Sequence, residues 1–409
     1  MCQIEIMFSV VKKMTFLFLL LLISFEFKGQ QLVEFSMGSS YQYDIYYSLN
    51  DGITAYPERD NWELAFSTGS TPNIRINSGT GVKLFEASND VEDWEQITYL
   101  PSNAVQLRNS NLDWQLGAFS VNQGEDFSNY WLEYNDGDLQ SGTKIYIINY
   151  GQESKKIKVN SFLDGIFNLT IANLDGSGEQ ILNINTLDYS AKSFVFYSLI
   201  NNEIIDREPN SDNWDILFTK YEEEYVTLDG KTMPYIVTGG LSNGNAVAQY
   251  DGFLDVNPSF ESLDVGFDIN TIGYDWKQYN GSYTIVANRA YYILNQDSES
   301  LYKIIFQSFA GGQSGNMSFL IEQLNYNPSL LDESDINFSI YPNPNSGSFI
   351  VNYTGNDAQL QITDINGRVL MQQKGSFLSV DINNLNNGIY IAKIITNDDI
   401  FAKQIIVNK

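Results

Sequence analysis

The side chains able to do chemistry in this sequence are of few kinds. Fifty Asp and Glu stand against 23 Lys and Arg, with 26 Tyr and six Trp; histidine is absent and Cys2 is the only cysteine. That inventory excludes zinc held by His or Cys, Cys–His nucleophiles, Ser–His–Asp triads and haem held by histidine. Paired carboxylates could still act as acid and base, but a chain with 50 acids always contains some pair, and no nucleophile–base pair is set out by spacing. The sequence therefore reads as non-enzymatic. A net charge of −27 also excludes a nucleic-acid partner, because the phosphate backbone demands a cationic face. Residues 134–142 (YNDGDLQSG) and 173–180 (NLDGSGEQ) set acids in Gly-bearing turns as calcium would require. Neither has EF-hand spacing, and Asp-Gly is an ordinary hairpin turn, so no metal site is assigned. The glycines of 239–246 (GGLSNGNA) lack the Lys and helix of a phosphate loop. The Trp of DWEQ, DWQL and YDWKQY stand beside polar groups, as in sugar sites, but equally as at the ends of buried strands.

The elements that must position these residues are strands. Aromatics make up 14% of the chain, a composition that suits half-buried pleated surfaces. Residues 143–162 read as a hairpin with Gly151 in its turn, and 302–309 and 317–324 alternate at period two. No segment beyond about ten residues has helical periodicity, so the fold class is all-β. The middle of the chain is also duplicated. Residues 45–66 (IYYSLNDGITAYPERDNWELAF) echo 195–218 (VFYSLINNEIIDREPNSDNWDILF), sharing Tyr-Ser-Leu and then Asp-Asn-Trp-acid. A Gly/Asn-rich stretch, an Asp-Trp pair (Asp113-Trp114, Asp275-Trp276) and a matching hairpin follow in the same order. Trp62 and Trp214, in short alternating strands, are expected to anchor the cores of two similar units.

The second repeat resembles the HmuY family of haem-binding proteins through NWDILFTKY (213–221), YIVTGGLSNGNA and YDWKQYN…NRAYYILNQDSESLYKIIFQSF, with weaker versions in the first. The resemblance implies a β-fold that binds a ligand, with haem the candidate cofactor and no other indicated. Family members hold the iron by axial His or, in some relatives, Met. Here only Met37, Met233 and Met317 could serve, and Met233, beside Pro234, is the weak candidate. An adhesin or glycan-binding surface protein is the alternative.

The two ends define export. Lys12-Lys13, an apolar run over 16–25 and Lys28-Gly29-Gln30 form a signal peptide over residues 1–30, too short to span a bilayer. Residues 336–409 carry five Asp against five Lys or Arg, so the negative charge lies in the middle. Asn366-Gly367 and Asn387-Gly388 are expected as hairpin turns in a small Ig-like β-sandwich of about seven strands. This tail resembles the C-terminal sorting domain of type IX secretion cargo through SIYPNPNSGSF, ITDINGRVL, LNNGIYIAKI and KQIIVNK. Its motif residues are Pro342, Asn343, Pro344, Gly347, Gly367, Gly388, Tyr390 and Lys409. The resemblance implies an outer-membrane translocon and a sortase as partners, and a secreted or outer-membrane-surface location. The expected organisation is signal peptide 1–30, HmuY-like repeats 31–190 and 191–325, linker 326–335 and sorting domain 336–409.

Overall fold

Alternating apolar residues do become strands, and every strand pair is antiparallel in the computed structural model. It describes residues 29–69, 71–120, 131–134, 140–227, 229–255, 257–295 and 300–326, and in the tail 338–341, 345, 347–353, 359–364, 368–374, 380–382, 384–395 and 400–407. The expected leader, most of the linker, Pro342, Asn343, Pro344, Gly367 and Lys409 lie outside them. Helix among the described residues is limited to short 3-10 turns, none long and apolar enough to cross a membrane.

The duplicated middle forms two β-sandwiches. In the first, an eight-stranded sheet covers a four-stranded one ordered Glu203–Ile205, Phe194–Ser198, Leu64–Ser67, Ile74–Ile76. Leu64, Phe66 and Ile74 of the small sheet meet Tyr146, Ile157, Phe167 and Leu169 of the large one, all buried, each worth about 1.5–3 kcal/mol in burial. In the second, a six-stranded sheet covers Thr232–Ser242, Ile216–Val226, Ile45–Ser48 and Gly52–Ala55. Its core joins Ile45, Tyr47, Ile216 and Phe218 to Tyr291, Ile304, Phe306 and Phe319.

The sequence repeats and the sandwiches do not coincide. The hairpin opening each repeat pairs into the other repeat's small sheet: Ile45–Ser48 beside Ile216–Val226, and Phe194–Ser198 beside Leu64–Ser67. The preceding strands follow them. Gln31–Ser36 closes on Asn316–Leu324, and Gln180–Asn185 on Ile166–Asn173. The boundaries 31–190 and 191–325 therefore describe the duplication in sequence. In space one sandwich is built from 64–205, and the other from 31–55 with 216–324.

The shared motif makes the contacts across the exchange. The Leu199 N–H donates to Glu63 Oε2 at 2.6 Å, and the Leu49 N–H to Asp215 Oδ2 at 2.8 Å. Around them Glu63 N–H meets Tyr197 O at 3.0 Å, and Asp215 N–H meets Tyr47 O at 2.8 Å. Each acid of Asn-Trp-acid thus caps the Tyr-Ser-Leu turn of the opposite repeat. A hydrogen bond to a buried charge is worth about 1.5–3 kcal/mol. Burial pushes the Glu63 carboxyl up, against the pull of the N–H donors at the Leu199 turn. Asn77 and Asn243 complete the pattern by donating to Trp62 O and Trp214 O.

The tail is a seven-stranded sandwich of three- and four-stranded sheets around Phe349, Val351, Leu360, Ile362, Ile394 and Ile405. Asn387-Gly388 is not a hairpin turn there. The chain passes from Val380–Asp381 in one sheet to Gly388–Ile395 in the other, so the segment is a crossover between layers. Tyr390 Oη donates back to Asn386 O at 2.8 Å. Gly347 has φ 125°, and its N–H donates to Asn345 Oδ1 at 3.0 Å. Asn345, which motif reading passed over, is the buried anchor. Its N–H and its side-chain amide both donate to Ile406 O, at 2.8 and 3.1 Å, pinning the motif loop to the last strand.

Candidate functional site

The small sheets turn one face to their own cores and the other toward a junction between the sandwiches. Ala65, Phe194 and Phe196 form the apolar face on one side, and Tyr46, Trp214 and Leu217 on the other, with Trp114 packed against both. Strand alternation places the strand residues among them: Phe66 and Ile216 point to the cores, Ala65 and Leu217 to the junction. A half-open cavity lies there, lined by Trp62, Trp114, Trp214, Phe196, Arg207 and Glu208 among others.

The two repeats supply matching aromatic pairs. Trp62 meets Phe196 edge-on at 4.9 Å, and Trp214 meets Tyr46 at 5.1 Å. Trp62 and Trp214 are thus equivalent, but they are not the core anchors expected of them. Trp214 is buried and Trp62 half-buried, and both line the junction cavity. Both precede the strands Leu64–Ser67 and Ile216–Val226 rather than lying in them, so strand alternation does not place them.

Trp114 breaks the symmetry. Its indole N–H donates to Ser242 O of the other sandwich at 2.8 Å, whereas Trp276 stacks on Phe306 at 3.8 Å inside the second core. Arg75 holds the Trp114 loop. Its guanidinium lies 4.9 Å from the indole and donates to the carbonyls of Ser110, Asp113, Trp114 and Leu116. Burial lowers its pKa to about 10.

The charged groups of the cavity are equally built in. Arg207 Nη2 lies 2.7 Å from Asp44 Oδ2, with side-chain exposures of 2% and 3%, and Thr219 Oγ1 donates to Asp44 Oδ1 at 2.6 Å. This ion pair joins the two sandwiches. Arg207 also sits 5.0 Å from the Phe196 ring and 5.6 Å from that of Trp62. Glu208 accepts from the Phe194 and Ser193 N–H groups at 2.9 and 3.2 Å. Burial pushes its carboxyl up to about 7, against the pull of those donors and of the Trp214 indole. Four donors on the lining residues are buried without a hydrogen-bond partner: Trp62 Nε1, Arg207 Nε, Trp214 Nε1 and the Tyr221 hydroxyl. An unpaired buried donor costs about 1–3 kcal/mol, which makes this the place where an incoming acceptor gains most.

Glu208 gives a pH signature. Its folded pKa lies above that of an unfolded glutamate, so its contribution is fully present below about 4.5 and lost as pH rises through about 7. The thermal midpoint of the wild type should therefore fall relative to Glu208→Gln between pH 5 and pH 8. Melting curves of both proteins across that range test it, and a constant difference would show that Glu208 does not titrate there.

The other expected residues lie elsewhere. Met233 is half-exposed on Thr232–Ser242, paired with Tyr225, and is not among the cavity lining. Met37 and Met317 are buried in the second core. Asp175 of the second Gly-bearing turn spends Oδ1 on Ser177 N and Oγ at 2.9 and 2.6 Å, and part of the first turn lies outside the described residues. No group of three acids placed to hold a metal occurs among the described residues. The glycines serve close packing: a Cβ on Gly79 would come within 2.0 Å of Lys220 O, and one on Gly239 within 2.2 Å of Gly273 O. Sequence reasoning missed Arg75, Arg207, Glu208 and Asp44. A lone Arg amid apolar residues, as in Asn73-Ile74-Arg75-Ile76, was the available signal.

An all-β exported protein with a terminal sorting module is the class that fold and tail define. Residues 339–408 match the secretion system C-terminal sorting domain, so the tail belongs to that family and the chain is cargo of the type IX secretion machinery, delivered to the cell surface or beyond it. No curated protein matches the chain by sequence. Among solved structures it is similar to PorZ, described as an essential surface component of the type IX secretion system of Porphyromonas gingivalis, at 11% identity and a TM-score of 0.17, over 68% of this chain and 44% of that one. A polysaccharide lyase is similar at 9% identity and a TM-score of 0.15, over 86% of this chain and 40% of the other. The chain spans less than half of either, and at these scores neither likeness bears on its fold or activity.

Proposed function

We propose that the exported body is a non-enzymatic binding protein that holds its ligand in the junction cavity. The observation that carries this reading is the set of buried, unpaired donors, Trp62 Nε1 and Arg207 Nε among them, on an aromatic cavity walled by both sandwiches. The HmuY resemblance makes haem the first ligand to test. No Met lines the cavity and the chain has no His; Tyr46 and Tyr221 do line it, but burial pushes their phenols up, away from the phenolate that axial ligation needs, so tight ligation is disfavoured there. Haem titrated into the mature body should give no sharp low-spin Soret band in the ferric or ferrous state. A low-spin spectrum with submicromolar affinity, lost on Met233→Ala, would restore the haem-carrier role.

The glycan-binding alternative has its own observation. Tyr279 and Tyr283, 64% and 38% exposed, hold their rings 5.0 Å apart on a small hairpin of the second sandwich. Binding to a glycan array abolished by Tyr279→Ala, with cavity variants unaffected, would favour it.

For export, the reading is that residues 1–30 direct the chain into the periplasm and that a surface sortase removes the tail beyond about residue 335. Mass spectrometry of extracellular protein from the native host should then find no tail peptides. An intact terminus at Lys409 would count against removal.

A further inference from the structure

Of the buried polar atoms on the lining without a hydrogen-bond partner, Trp62 Nε1, Arg207 Nε and Trp214 Nε1 are pure donors and the Tyr221 hydroxyl is a donor that can also accept, which narrows the chemistry of what the cavity can take. Trp62 offers Nε1–H and Arg207 offers Nε–H, the latter from a side chain only 2% exposed. The carboxylates and Arg75 are committed. Asp44 is spent on Arg207 and Thr219, and Arg75 on four carbonyls. Glu208 takes two backbone N–H groups and lies beside the Trp214 indole. Glu222, at the edge of the lining, is paired with Arg108. A ligand led by an ammonium or another pure donor would leave those pure donors unsatisfied and would find no carboxylate at liberty. The rings of Trp62, Trp114, Phe194 and Phe196 meanwhile line the cavity.

We infer that the cavity takes a ring carboxylate, its acid group accepting from Trp62 Nε1 and Arg207 Nε and its ring packed among the aromatic side chains. This rests on the cavity being the binding site proposed above and names the ligand class that fits it. The charge of −27 opposes the approach of an anion from afar. A Debye length of about 8 Å at physiological salt removes most of that repulsion, and the field inside the cavity is set by the groups within it. There Arg75, Arg207 and Lys220 face Asp44, Glu208 and Glu222, and protonation of Glu208 below about pH 7 leaves a net positive charge. Aromatic acids and uronic acids share the required chemistry and differ in the ring.

The test is titration of the mature chain at pH 6, followed by tryptophan emission and calorimetry. The probes are benzoate, glucuronate, benzylamine and glucose. The expected result is millimolar or tighter binding of at least one carboxylate, fitting a ligand of about ten heavy atoms, with benzylamine and glucose at least about tenfold weaker. Trp62→Phe keeps a ring and removes the donor, so carboxylate affinity should fall at least about tenfold with the thermal midpoint nearly unchanged. Benzoate alone binding would assign an aromatic acid, and glucuronate a uronic acid; either supports the inference. Benzylamine or glucose binding as well as the acids, or carboxylate affinity unchanged in Trp62→Phe, would overturn it while leaving the cavity as a binding site. No response to any of the four probes would overturn both.

Discussion

Replacing Asp44 by Ala should destabilise the protein by about 3–5 kcal/mol, because it strands a buried guanidinium. Arg207 and Asp44 are almost wholly withdrawn from solvent, and among the described residues no other carboxylate is ion-paired with Arg207. The pair's existence is weak evidence for stability by itself, since two charges lose their hydration together. Breaking it from one side is different, for the remaining charge keeps its desolvation cost without a partner. Asp44→Leu combined with Arg207→Met should therefore recover most of the loss, the Met lying against Phe196 and Trp62 where the Arg stem now lies. Denaturant midpoints at constant slope measure both effects. A cost below about 1 kcal/mol for Asp44→Ala would place the pair in a solvated setting, and the junction would not be as closed as described.

A fragment of residues 56–210 should fold cooperatively, and one of residues 31–190 should not. The first contains both sheets of the first sandwich, including the imported Phe194–Ser198. The second matches the sequence repeat but lacks that strand, leaving Leu64–Ser67 with one neighbour and Glu63 without the Leu199 turn it caps. It also carries the 31–55 segment with none of the strands that pair with it. Thermal melts by circular dichroism and amide dispersion by NMR distinguish the two. A cooperative 31–190 beside an unfolded 56–210 would mean that each repeat keeps its own hairpin.

Much of this fold was legible because alternation and repetition are local. The Tyr-Ser-Leu and Asn-Trp-acid frames marked equivalent residues, and the tail's motif order marked its family. What could not be read was which copy each motif contacts. Leu199 against Glu63 and Leu49 against Asp215 are the same contact as the intra-repeat pairing would give, so similarity alone does not separate exchange from non-exchange. Site residues were hidden for a related reason. Arg207 and Asp44 lie 163 positions apart, and neither flanking sequence hints at the other. Trp114 and Trp276 match in sequence but serve a junction and a core. In the tail, Asn387-Gly388 has the composition of a hairpin turn yet joins two layers, since only the partners of the flanking strands decide that.

The pairing of Gln31 with Ile321 has a consequence in time. Roughly 290 residues separate them, which at about 5–20 residues per second of synthesis is a wait of some 15–60 seconds. Throughout it the first strand has no final partner, and the hairpin after it has none until Ile216–Val226 is made. Contacts of such sequence separation form slowly, and unpaired strands invite association with other chains. The second sandwich cannot close until nearly all of the body has emerged, whereas the first is complete once residue 205 is free. The chain thus passes through a stage with one finished sandwich and two unpaired segments at its ends, and a holding chaperone would act during that interval.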